Sequence, residues 1–195
     1  MSPEWIYNDY IEFVEEKCED FSSFEFNAKT FDFCVFSSCI FRSSSLVSSS
    51  FLNVKFIDCD LSQANFQLSH LTSVEFIRCK LSGTSFLETK MKNTKFAECN
   101  FMYATLTDSI LLSTTISSSS LLDCALESIS GKKIVIERSK LSGSSLKNTC
   151  LSLIDFKGSD LSAIYLSDDR HELKGSRLDV SQALDIIRGF SVDIY

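Results

Sequence analysis

Every fifth residue of this chain is large and apolar, and the phase holds over thirty consecutive positions from Phe21 to Leu166 with one exception. The series begins Phe21, Phe26, Phe31, Phe36, Phe41, Leu46, Phe51, Phe56 and ends Phe156, Leu161, Leu166; only Gly131 departs from it. Two residues before these centres the chain is mostly small or β-branched, as at Cys39, Ser49, Val54, Ala64 and Thr84. A helix repeats about every 3.6 residues and a strand about every 2, so neither can hold this phase. Five residues with two pointing inward describe one short side of a coil that then turns a corner, as a repeat architecture requires.

A second period counts the sides. Phe36, Phe56, Phe76 and Phe96 recur every twenty residues, and so do Cys39, Cys59, Cys79 and Cys99. Four sides of five residues would stack each set as a ladder along one face. At a strand spacing of ~4.8 Å, about seven coils make a rod of roughly 35 Å. The outer residues keep the same register. Asp58 and Asp60 fall beside Arg78 and Lys80 one coil on, and these beside Glu98, placing opposite charges on neighbouring strands. Gly83, Gly143 and Gly158 share one repeat position and read as corner residues. Gly131, followed by Lys132 and Lys133, reads as a local bulge.

Charge and cysteine content restrict function. The net charge is −7, and residues 1–27 account for all of it, with eight acids against Lys17; residues 28–130 carry −1 and residues 131–195 carry +1. No basic patch marks a nucleic-acid binder. No apolar run approaches the ~18 residues of a membrane span, and the start Met-Ser-Pro-Glu-Trp does not read as a secretory signal. The expectation is a cytosolic protein with reduced cysteines. Six of the eight (Cys34, Cys39, Cys59, Cys79, Cys99, Cys124) occupy the small inward position, where cysteine packs as a small hydrophobe. The absence of any C-x-x-C spacing, with His70 and His171 far apart, points to no metal and no cofactor. No catalytic constellation stands out, and the chain does not read as an enzyme.

The units Ala64-Asn65-Phe66, Cys59-Asp60-Leu61-Ser62-Gln63 and Ser159-Asp160-Leu161-Ser162-Ala163 resemble the pentapeptide-repeat family, written loosely A-(D/N)-L-x-x. The resemblance implies an all-β fold, a right-handed quadrilateral β-helix spanning residues 21–166.

The two ends read as caps, since a solenoid leaves its core open at each end. Residues 1–20 are expected to hold a capping helix over about 3–17, with Ser2-Pro3 at its start and Ile6, Tyr10, Phe13 and Val14 on one face. Residues 167–195 read as a loop, then a helix with Asp179 and Gln182 in a capping box, then a short strand. Gly189 suits a left-handed position after the helix.

The stretch Leu173-Lys174-Gly175, Gln182-Ala183-Leu184, Ile186-Ile187 and Phe190-Ser191-Val192 is similar to the tail of the quinolone-resistance (Qnr-type) and mycobacterial fluoroquinolone-resistance pentapeptide proteins. That likeness implies a homodimer joined end to end through Val180, Ala183, Leu184, Ile187, Phe190, Val192 and Ile194. It further implies a mimic of duplex DNA that binds DNA gyrase or topoisomerase IV and protects it from quinolones, without touching nucleic acid or membrane. Asp58, Asp60, Glu88, Glu98, Asp108 and Asp123 are the candidate phosphate surrogates. The near-neutral solenoid supports a second reading, a scaffold for another protein partner or a structural role.

Overall fold

The computed structural model describes residues 3–189, which form a parallel β-solenoid of about seven turns ending in a short helix. Successive coils pair twenty residues apart in strict register: Phe36 with Phe56, Phe56 with Phe76, and Phe76 with Phe96. One side of each coil contributes a strand to a seven-stranded sheet that begins Tyr10–Glu12, Thr30–Asp32, Ser50–Leu52 and ends Ser130–Lys132. The next side builds an eight-stranded sheet from Glu15–Lys17 to Ile154–Asp155. On the other two sides coils meet through single bridges such as Ile40 to Asp60 and Ser45 to Asn65.

The corners explain why five residues make one side. The residue two after nearly every centre adopts a left-handed backbone, with φ of 54° at Asn53 and Asp58, 60° at Gln63 and 61° at Leu68; Leu153, in a 3-10 turn, and Asp168 are exceptions. Of the non-glycine residues with positive φ, none is Val, Ile or Thr, whose branched Cβ clashes most in that region. Gly83, Gly143 and Gly158 are corner residues as expected, at φ of 67°, 75° and 65°.

Inside, each ladder is a stack. The rings of Phe56 and Phe76 lie 5.0 Å apart and those of Phe76 and Phe96 4.7 Å apart, within 8° of parallel. Rings on neighbouring sides meet edge-on, as Phe36 and Phe41 do at 85°, and so do rings across the core, as Phe76 and Phe86 at 82°. Both geometries suit the aromatic quadrupole. The small positions fill the gaps between stacks, and most of their polar atoms are satisfied in a repeating way, Thr114 Oγ1 being left without a partner among the described residues. Thr84 Oγ1 donates to the Leu61 carbonyl at 2.8 Å, Ser109 Oγ to Phe86 at 2.7 Å and Cys79 Sγ to Phe56 at 3.3 Å. Ser, Thr and Cys therefore substitute for one another there because each can donate to a carbonyl of the preceding coil. Burial pushes the Cys124 thiol up to about 12, consistent with a packing role.

Gly131 is not a register bulge. It pairs in register with Leu111, and a Cβ on it would lie 1.8 Å from the Leu111 carbonyl oxygen. The missing bulk is restored by Ile129 and Ile134, which stand at the neighbouring small positions and are 4% and 1% exposed.

The N-terminal helix expected over residues 3–17 does not form. Only a four-residue 3-10 turn, Glu4–Tyr7, precedes strands at Tyr10–Glu12 and Glu15–Lys17, so the solenoid starts before Phe21. Ile6 and Ile11 fit the five-residue phase and are buried at its first inward positions. Pairing with Thr30–Asp32 satisfies the backbone across the coil, whereas a helix this short is marginal by itself. At the other end the helix Val180–Arg188 has its capping box, but Gly189 is right-handed at φ −61° rather than left-handed. Phe190, Val192 and Ile194 lie outside the described residues.

Candidate interaction surfaces

The six candidate acids do not share a surface. Asp58 and Glu98 sit on one corner edge, Glu88 and Asp108 on a second and Asp123 on a third, while Asp60 lies on the flat side leading to that third edge. Two of them are neutralised. Arg78 grips Asp58 with two hydrogen bonds of 2.7 and 2.9 Å and holds its carboxyl below the usual carboxylate range. Asp60 is largely buried, which would raise its pKa. Arg42 at 2.7 and 2.9 Å and the Ser62 amide at 3.1 Å outweigh that burial and lower it. Lys80 stands a further 3.9 Å away. Glu88 and Asp108, one coil apart on their edge, form no ion pair among the described residues.

The C-terminal helix docks by a face other than the expected one. Gln182 and Ile186, four residues apart, are each 4% exposed, while Val180 is 78% and Ile187 37% exposed. Ala183 and Leu184 are half-buried between these two faces. The Gln182 amide donates to the carbonyls of Phe156 at 2.6 Å and Ser159 at 3.0 Å. Those carbonyls would otherwise receive donors from a further coil, so Gln182 stands in for it. Glu172 does the converse: fully buried, its Oε1 accepts from the amides of Asn148 at 2.8 Å and Ser167 at 3.1 Å. In the coil before, the amide of Ser128 donates to the Lys147 carbonyl, so the Glu172 carboxylate takes the place of a carbonyl one coil beyond. Sequence reading missed both roles, although a lone Glu and Gln after the last coil were the available signal.

Beside this cap, a groove of about 630 Å³ lies between Lys133, Ser152 and Asp155 on the solenoid and Gly175 and Arg177 on the linker. No group of three or more His, Cys, Asp or Glu among the described residues is placed to hold a metal. No helix of the described residues is long and apolar enough to cross a membrane.

The Pentapeptide repeat region model matches residues 49–125 and 69–149, and the Pentapeptide repeats (8 copies) model matches residues 30–67. The chain belongs to the pentapeptide-repeat family. None of the curated proteins matches this pentapeptide-repeat chain. Among solved structures it is similar to HetL, a pentapeptide repeat protein involved in heterocyst differentiation regulation from the cyanobacterium Nostoc sp. strain PCC 7120. That match covers 80% of this chain and 86% of HetL at 13% identity, with a TM-score of 0.56. Full-length QnrB1, a plasmid-mediated fluoroquinolone resistance protein, matches over 91% of this chain and all 100% of its own at 19% identity and a TM-score of 0.34. A pentapeptide repeat protein of the Arabidopsis thaliana thylakoid lumen matches over 47% and 67% at 28% identity and a TM-score of 0.26. At these identities the HetL likeness bears on the fold alone.

Proposed function

We propose that this protein is a binding rod that imitates duplex DNA toward DNA gyrase or topoisomerase IV and thereby shields the topoisomerase from quinolones. The observation that carries the reading is the C-terminal helix. It closes the core with Gln182 and Ile186 and leaves Val180 and Ile187 exposed at the tip of the rod. A two-fold pairing through that ridge uses the same patch on each copy. It would yield a continuous rod of about 70 Å from two solenoids of seven coils at strand spacing. The unpaired carboxylates of Glu88 and Asp108 are its best phosphate surrogates, with Glu98 and Asp123 on other edges.

A second reading, a scaffold for a different protein, is favoured by the arginine pairing of Asp58 and Asp60, which cancels charge that a DNA mimic would display. One set of measurements separates the two. In a gyrase supercoiling assay the protein should inhibit at high concentration or restore activity in ciprofloxacin. Glu88→Lys with Asp108→Lys should weaken either effect, and Asp58→Asn should not. Light scattering should report twice the chain mass, falling to one in Leu184→Asp. No effect on gyrase or topoisomerase IV at any concentration leaves the scaffold.

A further inference from the structure

The end of the rod opposite the helix carries a feature that folding does not explain. Along one corner edge the residues in successive coils are Phe13, Phe33, Asn53, Ser73, Asn93, Ser113 and Lys133, all with positive φ. Asn and Ser tolerate that backbone region and water; a phenylalanine suits neither. Yet Phe13 is 70% exposed and Phe33 53%, and their rings stack at 5.6 Å and 15°. Tyr10, 54% exposed, extends the aromatic surface on the adjoining strand. This patch is separate from the core, where the inward phenylalanines are already sealed.

The charges on the two strands that lead into this corner are both negative. Glu12 and Asp32 stand in register on neighbouring strands, an arrangement of like charges that a sheet does not favour. Asp32 is held there by the Tyr10 hydroxyl at 3.2 Å and the Asn53 amide at 3.3 Å. Glu15 lies just past the Phe13 corner, exposed. Neither Glu12 nor Glu15 forms an ion pair among the described residues. Two stacked π-faces bordered by unpaired carboxylates are complementary to a planar cation with an apolar stem.

We infer that the corner formed by Tyr10, Glu12, Phe13, Asp32 and Phe33, with Glu15 beside it, is a docking surface for an arginine-rich segment of another protein. Guanidinium groups lie over the Phe13 and Phe33 rings and pair with the flanking carboxylates. The surface is remote from the helix tip and does not depend on the topoisomerase reading.

The test uses the full chain and a fluorescein-labelled peptide of about twelve alternating arginines and glycines, read by fluorescence anisotropy at two salt concentrations. The peptide should bind, more weakly at the higher salt, and a lysine-glycine peptide of equal length should bind several-fold less well. Phe13→Ser with Phe33→Ser installs what Ser73 and Ser113 already show the corner accepts, so the β-rich spectrum should persist while affinity falls at least tenfold. Glu12→Gln with Asp32→Asn should lower it to a similar degree. If the serine variant binds as well as the parent chain, the attraction is only that of an acidic terminus and the proposal is overturned. It is equally overturned if Phe13 and Phe33 prove to be covered by a second copy, seen as a dimer that survives Leu184→Asp and is lost in the serine variant.

Discussion

The indole nitrogen of Trp5 donates to the carboxylate of Glu16 at 2.7 Å, and around this bond the chain closes the first open end of its core. Glu16 stands in register with Phe36, at an inward position where later coils carry apolar residues. The Trp5 ring lies 5.3, 6.1, 6.4 and 6.0 Å from Phe21, Phe26, Phe31 and Phe36, one from each side of a single coil. A lid that is apolar across its face and a donor at one edge covers the rings and satisfies the acid together.

Removing that lid should be felt throughout a rod whose coils depend on their neighbours. Trp5→Ala is expected to cost about 3 kcal/mol, as for other aromatic truncations. Trp5→Phe keeps most of the cover and leaves Glu16 without its donor, at about 1 kcal/mol. Urea denaturation followed by circular dichroism measures both. Equal midpoints for Trp5→Ala and the parent chain would show that Trp5 is no cap.

At the other end, Glu172 links stability to pH. Burial alone would raise its pKa, but the hydrogen bonds from Ser167 and Asn148 hold it below its ordinary value of 4.5. A carboxylate with a depressed folded pKa contributes fully above the unfolded value, and the contribution is lost as pH falls through the folded one. The parent chain should therefore lose stability below about pH 4.5. Glu172→Gln keeps the acceptor and should flatten that part of the profile, whereas Glu172→Ala leaves the amides of Asn148 and Ser167 without their acceptor at about 1–3 kcal/mol. An unchanged acid limb in Glu172→Gln would assign the pH dependence elsewhere.

Two glycines with positive φ should behave differently. Gly131→Ala drives a methyl into the Leu111 carbonyl and should cost about 3 kcal/mol or more. Gly83→Ala meets only the Gln63 side chain at 3.6 Å, so its cost is the backbone preference alone, about 1 kcal/mol. Thermal unfolding of the pair tests whether close approach, rather than φ, makes Gly131 necessary.

Neighbouring residues should also separate inside from outside. Cys79 is 2% exposed, and Cys79→Leu should overpack its coil by about 1–3 kcal/mol. Arg78→Ala removes only a solvent-exposed pair with Asp58 and should cost under about 1 kcal/mol. Similar midpoints for the two variants would contradict the register.

The five-residue phase was sufficient, without coordinates, to assign the inward residues, the twenty-residue coil and its register. Each coil repeats the same local steric problem, so one solution propagates along the chain. The capping box of Asp179 and Gln182 was legible for the same reason, since its partners are three residues apart. Residues 3–17 were ambiguous because Ile6, Tyr10, Phe13 and Val14 satisfy a helical period while Ile6 and Ile11 satisfy the solenoid's. The free edge of the Thr30–Asp32 strand decided between them, and an edge exists only once the second coil has formed. The acidic surface was legible as a set of residues but not as a field. Arg42 reaches Asp60 across eighteen positions, and that pairing removes a charge the linear chain displays. The caps made by Trp5, Glu172 and Gln182 likewise belong to the tertiary structure. Each answers a carbonyl, an amide or an exposed ring that becomes unpaired only where the stack of coils stops.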